Sequence, residues 1–149
     1  MPSTIRLHRV LQAPPERVYR AFIDPAAMVK WLPPNGFTAT MHHMDAKVGG
    51  GYKMSFTNFS HEQTHSFGGK FLEMKPGEKL VYTDAFDDPN LPGTMTTTIT
   101  LKAVSVGTEL NIEQAGVPDA IPADGCYIGW SESLALLKLL VEADIPAGM

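Results

Sequence analysis

The stretch CYIGWSESLALLKLLVEA, from Cys126 to Ala143, lacks the alternation that marks most of the chain. Tyr127, Trp130, Leu134, Leu137 and Val141 recur at spacings of three and four, which is one face of a long amphipathic helix. Leu136, Leu139 and Leu140 widen that face. A helix this apolar has to bury itself against something broad.

The only broad element the sequence offers lies upstream. From Gly36 to Gly116 the chain reads almost entirely as strand, with Gly, Pro and Asn clusters at each reversal. Six strands are expected: Phe37 to Met44, Gly51 to Asn58, His65 to Met74, Lys79 to Phe86, Thr94 to Val104 and Thr108 to Ala115. The turns at 75–78 and 105–107 are short enough for hairpins, so neighbouring strands run antiparallel as a meander. Ser3 to Gln12 alternates as well, with Ile5 and Leu7 opposite Arg6 and His8, and supplies a further strand. Pro14 and Pro15 suit the first turn of a helix with Val18, Ala21 and Phe22 on its inner face, and Asp24–Pro25 caps and starts a second helix reaching about Trp31. The expected fold is therefore a single α+β domain over residues 1–149: a curved antiparallel sheet of seven strands wrapped around the C-terminal helix, with an apolar, ligand-sized interior. Asp119 to Gly125 is expected as a loop and the last helix is expected to start at Cys126.

Composition narrows the partners. A chain of 149 residues can bury roughly two-thirds of its unfolded surface and folds without a staple. The hydrophobic fraction is 44% and the charged fraction 19%, as in globular proteins. Twelve basic against sixteen acidic side chains, without a Lys/Arg cluster, argue against nucleic acid. The longest nearly apolar run, Leu134 to Val141, is far short of the roughly 20 residues that cross a bilayer. No secretory signal is read at the amino terminus, and the lone Cys126 has no partner for a disulfide, so a reducing cytoplasm is the expected setting.

The segment from Ala13 to Pro25 (APPERVYRAFIDP), then Trp31 and Pro33, the Asp45-x-x-Val-Gly-Gly-Gly run and Gly129-Trp130 resemble the START-like (SRPBCC) superfamily, and within it the branch named after the activator of heat-shock protein 90 ATPase. The resemblance covers nearly the whole chain. It implies a helix-grip fold whose cavity, between sheet and last helix, holds lipids, polyketides or other apolar molecules. The sequence departs from the branch at Gln114, where a histidine is common, and chemistry that depends on that histidine is not expected here. The activators that give the branch its name carry a further amino-terminal domain, for which this chain has no room.

Several residues admit a functional and a structural reading. Gly49, Gly50 and Gly51 are not followed by Lys-Ser/Thr, so they imply a tight turn with positive φ, capped by Asp45, instead of a phosphate loop. His42 and His43 point to opposite faces of a strand, and His61 and His65 lack matching ligands, so no metal and no cofactor are expected. Cys126 reads as a small boundary thiol, although a helix start could lower its pKa. Glu73 and Asp84 are carboxylates within apolar strands. Alternation places Glu73 with Phe67 and Phe71, and Asp84 with Leu80, Tyr82 and Phe86. Were those faces inward, Glu73, Asp84 or Tyr82 could carry protons to a bound carbonyl; were they outward, the acids would be solvated charges. Trp31, Met54, Phe56, Phe67, Tyr82, Met95, Trp130 and Leu134 are the candidate pocket wall, with a plain packed core as the alternative.

The leading expectation is a binder of a small apolar molecule. The alternative is an enzyme of polyketide-cyclase or hydrolase type in the same pocket, and a chaperone ATPase co-regulator ranks last. A homodimer is left open, and neither nucleic acid nor an integral membrane association is expected.

Overall fold

The computed structural model describes residues 2–148. The chain runs β1 (Ser3–Leu11), α1 (Pro15–Ile23), α2 (Pro25–Trp31), β2 (Phe37–Met44), β3 (Gly51–Asn58), β4 (Thr64–Lys75), β5 (Lys79–Phe86), β6 (Met95–Val104), β7 (Gly107–Val117) and α3 (Ala123–Glu142). Strands β2 to β7 form an antiparallel meander, and β1 adds to the β7 edge, giving the order β1-β7-β6-β5-β4-β3-β2. This is the seven-stranded helix-grip architecture that the resemblance implies.

Local chemistry sets the two short helices. Pro14 and Pro15 start α1, where a missing N–H is no loss, and Val18, Tyr19, Ala21 and Phe22 are its buried face. The Asp24 carboxylate accepts from the Ala26 N–H at 2.9 Å, capping α2. Trp31 closes that helix, fully buried, donating Nε1–H to Ala21 O and meeting the Phe22 ring edge-on at 4.8 Å.

Alternation along the strands puts one face inward. On β6 Met95, Thr97, Ile99 and Leu101 are buried, and on β7 Thr108, Leu110, Ile112 and Gln114. Besides a register shift between Ser3 and Thr4 in the β1–β7 pair, two bulges break the phase, one on β2 between Met41 and His43 and one on β4 between Phe71 and Glu73. The second has a visible cause. The turn before β3 holds Gly49 at φ 83°, and its Gly49 N–H donates to Phe71 O while Gly50 O accepts from the Phe71 N–H. A Cβ on Gly50 would lie 2.1 Å from Asp45 O, so only glycine lets the loop fold this close. The glycine run is thus a turn, and Asp45 O takes part by accepting from the Lys47 N–H.

Helix α3 lies across the inner face, tied at several levels. Arg9 Nη2 reaches Ser131 Oγ, the Gln12 N–H donates to Glu142 Oε2, and Arg17 Nη1 donates to Val141 O. Ser133 Oγ donates to Leu32 O at 2.5 Å, fixing the helix to the end of α2. Trp130, Leu134, Leu137 and Val141 face inward. Two positions assigned to that face belong elsewhere: Leu139 is 72% exposed and Tyr127 is exposed too, because a nearly all-apolar stretch leaves the helical phase open by one position. The helix also starts one turn earlier than Cys126, directly after Pro122, whose carbonyl accepts from the Cys126 N–H at 3.0 Å. No described helix is long and apolar enough to cross a membrane.

Candidate functional site

Sheet, α2 and α3 do not close completely on one another. Between them lies a cavity of about 340 Å³. Tyr52 and Phe56 of β3, Phe67 of β4, and Tyr82, Asp84 and Phe86 of β5 contribute from the sheet. Met95 and Gln114 do so from β6 and β7, and Met28 from α2. From α3 come Cys126, Gly129, Trp130 and Ser133, a stripe at spacings of three and four. The rim carries Leu91 and Ile121, from the loops after β5 and β7, and the exposed His65.

The wall is largely aromatic. The rings of Phe56 and Phe67 meet edge-on at 4.9 Å, Tyr52 and Tyr82 at 6.0 Å, and Phe67 and Phe86 at 6.2 Å. Such pairs hold each other's orientation, so the wall has a defined shape.

Polar groups gather at the β5–β7 end. Gln114 is buried and links three partners: its Nε2 donates to Thr97 Oγ1 at 3.1 Å, and its Oε1 accepts from Trp130 Nε1 at 3.0 Å and from Cys126 Sγ at 3.4 Å. The side chain that replaces the branch's common histidine thus aims Trp130 across the cavity. Tyr82 pairs with Thr97, and burial raises its phenol pKa in spite of that bond. Asp84 differs. It is 7% exposed, its Oδ1 is sealed without a partner, and desolvation raises its carboxyl well above the usual carboxylate range. Burial likewise raises the Cys126 thiol, which sits inside the first turns of α3 and not at the helix start. This agrees with a boundary thiol and not with an activated one.

The structure brings together Phe56, Phe67, Tyr82, Met95 and Trp130 of the candidate wall. It places Trp31, Met54 and Leu134 elsewhere, packed into the core without reaching the cavity. Of the two acids only Asp84 faces inward. Glu73 corrects the alternation argument: the β4 bulge shifts the strand's phase after Phe71, so Met74 turns to the core and Glu73 to solvent. There it pairs with Lys79 at 3.2 Å and Lys75 at 3.6 Å, and the hydrogen bond from Lys79, first among its neighbours, lowers its pKa. Gln114, Ser133 and Met28 belong to the wall without having been expected there. The spacing of Cys126, Gly129, Trp130 and Ser133 was the signal that could have identified Ser133. No group of three His, Cys, Asp or Glu among the described residues is placed to hold a metal ion.

Comparison with known proteins fits this geometry. The family model described as "Activator of Hsp90 ATPase homolog 1-like protein" matches residues 12–142. Protein CV1439 from Chromobacterium violaceum is 60% identical, with a TM-score of 0.95 over 97% of this chain and 100% of that one. The AHSA1 protein from Silicibacter pomeroyi is 19% identical, with a TM-score of 0.79 over 93% and 96%, and shares the fold. An uncharacterised Rhizobium leguminosarum protein, 21% identical, shares it at 0.81 over 97% of each chain. No curated protein matches the sequence.

Proposed function

Because the chain belongs to the Activator of Hsp90 ATPase homolog 1-like family, within the START-like superfamily, we propose that it reversibly binds a small, mainly apolar molecule between its sheet and α3. The observation that carries this reading is the cavity of about 340 Å³, whose aromatic wall ends in a small polar group at Asp84 and Gln114. Affinity would come mostly from burial, at roughly 25 cal/mol per Å² of apolar area, less the cost of immobilising the ligand. Native mass spectrometry of freshly purified protein tests it. A retained lipophile, released on denaturation, is the expected result. The absence of both a retained lipophile and any uptake of an added apolar probe would contradict the reading.

The burial of Asp84 beside Tyr82 favours a second reading, an enzyme of cyclase or hydrolase type that uses the same cavity. A carboxyl whose pKa is raised by burial is favoured as a general acid towards a carbonyl. Asp84→Asn would then lower turnover of a carbonyl substrate by about 10² to 10⁴ while binding persists. Unchanged turnover would leave the cavity a binding site only.

A further inference from the structure

The polar atoms around the cavity are almost all engaged within the protein. Tyr52 donates its hydroxyl to Thr83 O, and Ser133 donates to Leu32 O. Trp130 Nε1 and Cys126 Sγ both donate to Gln114 Oε1, while Gln114 Nε2 and the Tyr82 hydroxyl share Thr97. Among the described buried and half-buried polar side chains of the wall, only Asp84 has a sealed oxygen, Oδ1, without a hydrogen-bond partner, and the residue itself lines the cavity. Buried polar groups are nearly always satisfied, and an exception calls for a cause. No Lys or Arg among the described residues lines the cavity. Apart from His65 on the exposed rim, nothing in the described wall could neutralise Asp84 or receive a carboxylate or phosphate.

We propose that the cavity takes an uncharged apolar molecule whose hydrogen-bond acceptor, a ketone, ester or amide carbonyl, docks on Asp84. This rests on the binding reading above and narrows its ligand. Burial without a cationic partner raises the Asp84 carboxyl and favours its protonated form, and a protonated carboxyl lining the cavity offers an O–H to an acceptor there. A hydrocarbon would leave that donor unsatisfied. A fatty acid would bring an anion to a wall without Lys or Arg, and a basic amine would require Asp84 to ionise in an apolar site.

Four molecules on one skeleton separate these cases: 2-acetylnaphthalene, 2-ethylnaphthalene, 2-naphthoic acid and 1-(2-naphthyl)ethylamine. Their dissociation constants are measured at pH 7 by calorimetric titration for wild type, Asp84→Asn and Asp84→Leu, with melting curves recorded for each variant. Wild type is expected to bind the ketone roughly three- to tenfold more tightly than the hydrocarbon, the range of one net hydrogen bond, and to bind the acid and amine least. Asp84→Asn, which still has an N–H to donate, should keep that preference, and Asp84→Leu should erase it. Equal affinity of wild type for ketone and hydrocarbon would overturn the proposal whatever the variants do. So would tightest binding of the amine, lost in Asp84→Asn, which would make Asp84 a counter-ion. Were only the hydrocarbon and ketone to bind, and equally, the cavity would still be a binding site. Failure of all four molecules would overturn the binding reading and this proposal together.

Discussion

Asp84 lies in a strand otherwise suited to the core, Leu80 to Phe86, and its cost to the fold depends on pH. Below the unfolded pKa of about 3.9 both states are protonated and the residue is neutral in effect. As pH rises through that value the unfolded chain ionises while the folded carboxyl holds its proton, so stability falls. The fall ends once pH passes the raised folded pKa. Asp84→Asn cannot ionise, so its melting temperature should gain on wild type as pH rises from about 4; a difference that stays constant would show that the Asp84 carboxyl is not raised in the fold. Gln114 is the other residue that sets the site. Gln114→Leu strands the buried Trp130 N–H and should cost about 1 to 3 kcal/mol in urea denaturation. An inward Asp84 followed from alternation along β5, which no bulge interrupts. The role of Gln114 did not follow, because its partners Trp130 and Cys126 come from a helix whose placement over β7 no local pattern encodes.

Among the elements, β4 shows how one inserted residue redirects a side chain. The glycine turn before β3 occupies both backbone groups of Phe71, the strand bulges, and Glu73 leaves the face that simple alternation assigns it. Glu73→Gln should therefore leave the affinity for an apolar probe unchanged, and a loss of affinity would mean that the β4 phase is otherwise. A bulge caused by a loop 22 residues upstream leaves no periodic trace in β4 itself, whereas strand order and turns were readable from Gly, Pro and Asn clusters. Helix α3 was readable as a helix and less so in phase. Leu137→Ala, at a fully buried position, should cost about 2 to 5 kcal/mol, while Leu139→Ala, in the same Leu-rich run but exposed, should stay within about 0.5 kcal/mol. Equal losses at the two positions would contradict the inward face described for α3.

At the scale of the molecule, the fold separates anchoring from access. The C-terminal half of α3 packs through Leu134, Leu137 and Val141 into the core, and ties to β1 and α1 hold it there. Its N-terminal half spans the cavity with a narrower stripe of Cys126, Gly129, Trp130 and Ser133. Leu134 and Trp130 lie one turn apart, yet the boundary between core and cavity falls between them, so Trp130 lines the cavity while Leu134 packs in the core. Gly129 offers the most direct test that this space holds a ligand. A Cβ built there meets no atom within 4 Å, and the position lies on the stripe that faces the cavity. Gly129→Leu should reach into the space from an unobstructed Cβ and, by removing a helical glycine, leave stability unchanged or raised by up to about 1 kcal/mol. The decisive measurement is a titration of wild type and Gly129→Leu with the neutral fluorophore N-phenyl-1-naphthylamine, read by its emission and paired with melting curves. Wild type should bind the fluorophore saturably, and Gly129→Leu should lose binding while melting no lower. Equal binding by both proteins, or none by wild type, would contradict a ligand site beneath α3.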